Sequence, residues 1–108
     1  MTTFAEILPT LPAVDGIAHL DLIAHDSGDI AAVIENKPGQ AGSLRVYHAL
    51  WQKHGSINAA AAAEGLALYA EHTPDARAHP GKHPNIDRLL QVMEQNRRYD
   101  VRIVNQVV

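Results

Sequence analysis

The sequence predicts an α+β fold: a small three-stranded sheet, built from an N-terminal hairpin and a C-terminal strand, covered by about three helices. Three observations lead there. Ile17–Ala24 alternates apolar and polar residues and is followed by a turn signal and a second short apolar run, Ile30–Glu35. The middle of the chain carries apolar residues at helical spacing. Tyr99, Val101 and Ile103 then alternate with Asp100 and Arg102, which is a strand pattern again.

Taken in order, residues 3–8 read as a short helix capped by Thr2 or Thr3 and stopped by Pro9 and Pro12. In the first strand Ala18, Leu20 and Leu22 share one face, and His19 and Asp21 point the other way. Asp26-Ser27-Gly28-Asp29 is the hairpin turn, and Asn36-Lys37-Pro38-Gly39 breaks the return strand. Ser43 is the expected N-cap of a helix over residues 44–54, with Leu44, Tyr47, Leu50 and Trp51 facing the core and Gly55 ending it in the left-handed conformation. Ser56 or Asn58 caps a second helix to about residue 72, where Thr73-Pro74 is expected to stop it. Residues 75–84 read as a loop. His83 or Asn85 opens the last helix, with Ile86, Leu89, Leu90 and Met93 on one face and Arg97 and Arg98 at its C-terminal end.

At 108 residues the expectation is one domain, residues 1–108, with one core, and an apolar share of 46% argues against disorder. There is no cysteine, so disulfides, thiolate metal sites and cysteine nucleophiles are excluded, and a reducing, cytoplasmic setting is expected. No apolar run is long enough to cross a bilayer, so no membrane role is expected. The N-terminus lacks the basic segment and apolar stretch of a signal peptide. The net charge of −3 is uneven: residues 1–43 sum to −5, residues 44–73 to 0 and residues 74–108 to +2. None of these is the basic patch that a phosphate backbone needs, so a nucleic-acid partner is not expected.

One segment nevertheless looks like part of a DNA-binding module. His54-Gly55-Ser56-Ile57, an alanine-rich helix and then Gly65-Leu66 resemble the first half of bacterial helix-turn-helix regulators. In that pattern Gly65 makes the tight turn and residues 67–73 form the recognition helix. Those residues hold no Lys or Arg, which suits a base-reading helix poorly. The plainer reading is two helices packed closely through small residues at Gly65.

Two segments carry candidate chemistry. The first is the glycine loop Lys37-Pro38-Gly39-Gln40-Ala41-Gly42-Ser43-Leu44-Arg45, which follows a strand and opens a helix. Free amides at a helix start attract anions, and glycines allow close approach. Lys37, Gly39, Gly42, Ser43 and Arg45 are therefore candidate ligands for a small anion, although the glycine spacing matches neither a P-loop nor a dinucleotide fingerprint. The plainer alternative is an ordinary turn with a serine cap, Arg45 pairing with an N-terminal acid.

The second is the histidine loop. Seven histidines stand in the chain, and His72, His79 and His83 cluster with Glu71, Asp75 and Asp87 nearby. Imidazole with carboxylate suits a divalent transition metal such as zinc, manganese or iron, which could activate a water. The spacing matches no sharp metal motif. The plainer alternative has His83 capping the following helix and the others hydrogen-bonded in a structured loop. Ser27, Ser43 and Ser56 sit where turns and caps put serine, Glu35 is a strand-end carboxylate, and Tyr47, Trp51 and Tyr69 read as core.

The runs Ile34-Glu35-Asn36-Lys37-Pro38-Gly39, Gly42-Ser43-Leu44-Arg45-Val46-Tyr47, Glu71-His72-Thr73 and His79-Pro80-Gly81-Lys82-His83-Pro84-Asn85-Ile86-Asp87 resemble a family of short bacterial proteins that form a domain of unknown function. The resemblance covers most of the chain. It implies a free-standing bacterial protein and no particular activity. The leading expectation from the residues is a binding or accessory protein for a small anionic ligand or a protein partner. The alternatives are a small metal-dependent enzyme using the histidines and a DNA-binding regulator. A three-stranded sheet also leaves two edges through which a homodimer could form.

Overall fold

The computed structural model describes residues 2–107; Met1, where the segment tested for a signal peptide begins, and Val108 lie outside the described residues. The elements run α1 (Phe4–Ile7), a 3-10 turn (Leu8–Thr10), β1 (Ile17–Ala24), β2 (Ile30–Glu35), α2 (Ala41–His54), α3 (Ala59–Leu68), α4 (His72–Ala78), α5 (Pro84–Gln95) and β3 (Tyr99–Asn105). The sheet is antiparallel with order β2-β1-β3, so the last strand takes the free side of the first. Leu20 stands between Ile34 and Ile103, and Leu22 between Ala32 and Val101. These residues form the face that the helices cover.

The core is one cluster in which Leu20, Leu22 and Ile34 of the sheet meet Leu44, Tyr47 and Leu50 of α2, Ala61 and Ala62 of α3, and Ile86, Leu89 and Val92 of α5. Each large aliphatic side chain so buried contributes roughly 1.5–3 kcal/mol relative to exposure. Ile57, in the link between α2 and α3, exchanges two backbone hydrogen bonds with Tyr99 at 2.9 and 3.0 Å, which fastens the helices to the edge strand.

The ends of the elements follow their local chemistry. Thr3 and Glu6 form a reciprocal capping box on α1. Asn58 caps α3 by accepting from the Ala61 amide at 2.9 Å. Gly55 and Asn96 end α2 and α5 in the left-handed region, at φ 78° and 51°.

Four expectations are corrected. Ser43 is not the N-cap of α2, because that helix starts earlier and Ser43 occupies its first turn. The second helix stops at Leu68, and residues expected to be loop form α4, with Pro74 inside its first turn. A proline there removes an N–H that has no intrahelical partner anyway, so it opens the helix instead of stopping one. On α5 the buried stripe is Ile86, Leu89 and Val92, whereas Leu90 is only partly buried and Met93 is 47% exposed. Trp51 of α2 is likewise only half-buried.

Candidate functional site

The glycine loop and the histidine loop, 27 residues apart in sequence, open onto one cleft. It has a volume of about 240 Å³ and is lined by Gly39 and Ser43 on one side of the sequence and by His72, Lys82, His83 and Asn85 on the other, with Phe4 and Tyr69 beside them. Their meeting follows from the topology. The antiparallel hairpin returns the chain to the start of α2, and α5 packs against α3 so that its own first turn lies at the same end.

On the α2 side, Gly39 turns the chain at φ 89° and leaves open space where a Cβ would stand. No side chain caps α2. Among the described residues, the Gly42 and Ser43 amides make no backbone hydrogen bond. The Ser43 hydroxyl accepts from the Tyr69 hydroxyl at 2.8 Å, so its own proton is free for another acceptor. Burial pushes the Tyr69 phenol well above its ordinary pKa, which keeps it a donor.

On the α5 side, Pro84 and Asn85 occupy the first turn, again without a side-chain cap. The Asn85 carbonyl accepts from the Tyr47 hydroxyl, and the Asn85 Oδ1 accepts from Arg88 at 2.8 Å. Both acceptors of Asn85 are thus occupied, and its side-chain NH₂ remains. Burial likewise raises Tyr47, to about 12.

Asp75 organises the histidine loop. Its Oδ2 lies 2.6 Å from His83 Nε2 and 3.0 Å from Lys82 Nζ, and its Oδ1 lies 3.8 Å from His79 Nε2. The hydrogen bond from His83, then that from Lys82, hold the Asp75 carboxyl at about 2, well below the usual carboxylate range. The Glu71 carboxylate accepts the Phe4 amide at 2.7 Å. Phe4 stacks on Tyr69 with ring centroids 5.3 Å apart and meets the His72 ring edge-on at the same distance. The His72 and His83 rings are 5.6 Å apart.

The polar lining therefore offers mainly donors, namely the Ser43 hydroxyl, the Lys82 ammonium and the Asn85 amide, while His83 turns its Nε2 to Asp75. The carboxylates nearby already accept from protein groups. That is an arrangement for a group with acceptor oxygens.

Not every candidate residue reaches the cleft. Lys37 pairs with Glu35 at 2.5 Å and is not among its walls. Arg45 is spent on backbone carbonyls of the N-terminal segment, donating to Leu11 at 2.7 Å and to Pro12 at 3.2 Å, and among the described residues it pairs with no acid. Gly42 lies beneath Phe4 and Leu8, at a place where a Cβ would make ordinary contact at 3.6 Å. His79 is exposed beside Asp75 and does not line the cleft. Among the described residues, no group of three or more His, Cys, Asp or Glu side chains is placed to hold a metal ion.

Phe4, Tyr69, Lys82 and Asn85 enter the site unannounced by the sequence. Lys82 and Asn85 flank His83 and could have been flagged by adjacency. Phe4 could not, because it arrives from the far end of the chain.

Gly65 lies inside α3 and makes no turn. A Cβ on it would stand 2.6 Å from Leu89 Cδ1 and 2.9 Å from Leu50 Cδ1, so its role is the close approach of α2 and α5. Residues 67–73 are divided between the end of α3, a turn and the start of α4, so the helix that would read DNA is not formed. Among the described residues no helix is long and apolar enough to cross a membrane.

A family model described as an uncharacterized protein conserved in bacteria matches residues 4–103. No curated protein and no solved structure matches the chain.

Proposed function

The chain belongs to that bacterial family, DUF2322, and from this premise we propose that it is a binding protein for a small anionic ligand held in the cleft between the first turns of α2 and α5. One observation carries the reading. The uncapped first turns of the two longest helices share a cleft with the Ser43 hydroxyl, Lys82 and two histidines. Each helix start contributes roughly half a positive charge; α2 adds the free Gly42 and Ser43 amides, and α5 adds the Asn85 amide alone, since Pro84 has no N–H and the Ile86 amide donates to the His83 carbonyl. At about 240 Å³ the cleft lies under the roughly 300–1,000 Å³ of sites for drug-sized ligands, which suits a small metabolite. A chain without cysteine fits a reducing compartment, so the reading takes the ligand from the cytoplasm.

The test is titration calorimetry of the intact protein with acetate and with inorganic phosphate at low ionic strength. Saturable binding of either, weakened by Ser43→Ala and by Lys82→Ala, is the expected result. Heats no larger than dilution for both anions would end the proposal.

A further inference from the structure

The cleft has a second character besides its donors. Phe4 places its ring 5.3 Å from both Tyr69 and His72, lying flat against the first at 21° and edge-on to the second at 80°. Pro84 and Ile86 add further apolar surface to the same lining. Phe4 is not there by accident of a mobile end. Its amide is held by the Glu71 carboxylate, its helix is closed by the Thr3–Glu6 capping box, and Arg45 ties down the carbonyls that follow. An N-terminal segment with no buried residue of its own in α1 is thus fixed by polar contacts at a place where it supplies one aromatic wall.

Resting on the anion reading above, we infer that the ligand is an aromatic monocarboxylate, its ring against Phe4 and His72 and its carboxylate between the first turns of α2 and α5. Charge points to one carboxylate. Lys82 is offset by Asp75 at 3.0 Å and Asp87 stands in the first turn of α5, so the positive field at the cleft is weak and favours a monoanion over a phosphate dianion. Size points to a single ring, since the cleft is smaller than the sites that hold drug-sized molecules. Ring geometry points to a planar group. Stacked and edge-on contacts with Phe4 and His72 reward an aromatic face beyond the area it buries, whereas a puckered ring of equal size gains only the area.

The experiment compares benzoate, cyclohexanecarboxylate and acetate by calorimetry on the intact protein, with NMR of the benzoate complex. Benzoate is expected to bind about 2- to 12-fold more tightly than cyclohexanecarboxylate, the aromatic increment expressed as affinity. Phe4→Leu, which keeps an apolar side chain and removes the ring, is expected to erase that preference. The complex of the unaltered protein is expected to show ring-to-ring NOEs from benzoate to Phe4 and His72, which keeps the test independent of how the variant folds. Equal affinity for the two ring acids, with acetate still bound, would overturn the aromatic assignment and leave the anion site standing. Failure of all three carboxylates and of phosphate to bind would remove the anion site and this inference with it.

Discussion

Asp21, in the middle of the central strand, is 2% exposed although it lies on the sheet face that no helix covers, because Arg102 of β3 lies over it. The two residues are cross-strand partners, and the Asp21 Oδ2 accepts from Arg102 Nε at 2.9 Å and from Nη2 at 2.6 Å. The His19 ring adds its Nδ1 at 3.0 Å from the other carboxylate oxygen. Removing the guanidinium takes both charge-assisted hydrogen bonds from the carboxylate, and water admitted in its place offsets part of the loss. Arg102→Ala is expected to cost about 1–2 kcal/mol, the range for hydrogen bonds to a charged group on a pair with one partner in solvent. Adding Asp21→Asn to that variant is expected to restore part of the loss. Urea midpoints of the two single variants and the double variant check this, and additivity of the singles would show that the pair is not coupled.

Gly65 is the contact point of three helices. Ala is ordinarily favoured over Gly inside a helix by about 1 kcal/mol. Here the new methyl would meet two fully buried leucines, Leu50 and Leu89, at 2.9 and 2.6 Å. Overpacking of a filled core costs roughly 1–3 kcal/mol, so the strain outweighs the propensity gain. Gly65→Ala is expected to lower the melting temperature and Gly65→Val to lower it further. A Gly65→Ala protein more stable than the parent would mean that the leucines move aside freely.

The same two positions show what the sequence could carry. The alternation in β1 places Asp21 opposite Leu20 and Leu22 correctly, and Gly65 is recognisable as a close-approach residue from its alanine-rich surroundings. The burial of Asp21 was not legible, since it depends on an arginine 81 residues away. Hairpin, last strand and α+β class follow from period and turn chemistry. The start of α4 was missed because Thr73-Pro74 is locally as good a stop as a start, and only the left-handed Ala70, at φ 50°, and the Thr73 hydroxyl donating to the Leu66 carbonyl at 2.6 Å decide it. In the site, Gly39, Ser43, His72 and His83 read from the sequence as members of two separate loops. Their union was invisible, as was the diversion of Lys37 and Arg45 to other partners, because both are consequences of tertiary packing.

Asp75 gives the histidine loop a defined acid response. Its folded carboxyl is held at about 2 against an ordinary value of 3.8. A depressed carboxylate stabilises the fold above its unfolded value, and that contribution is lost as the pH falls through the folded one. Melting temperature is therefore expected to fall between pH 4 and pH 2, and Asp75→Asn to shallow that fall while lowering stability at pH 7. Parallel thermal scans across this range decide it. Identical acid limbs in parent and variant would show that His83 and Lys82 do not hold the carboxylate in solution.

Lys82 and Lys37 make a matched pair for testing where the anion sits. Both are exposed lysines ion-paired to a carboxylate, Lys82 to Asp75 at 3.0 Å and Lys37 to Glu35 at 2.5 Å. Only Lys82 lines the cleft. Lys82→Ala removes a donor and exposes the Asp75 charge to the ligand, and for a solvent-screened contact a loss of roughly three- to tenfold in acetate affinity is expected. Lys37→Ala removes the same charge from the chain without touching the cleft, so it is expected to leave acetate affinity within experimental error. Net charge is then equal in the two variants, and any difference between them reports position. If Lys37→Ala weakens binding as much as Lys82→Ala, the anion is held by the overall field or by the outer end of the glycine loop, and the cleft is not its seat.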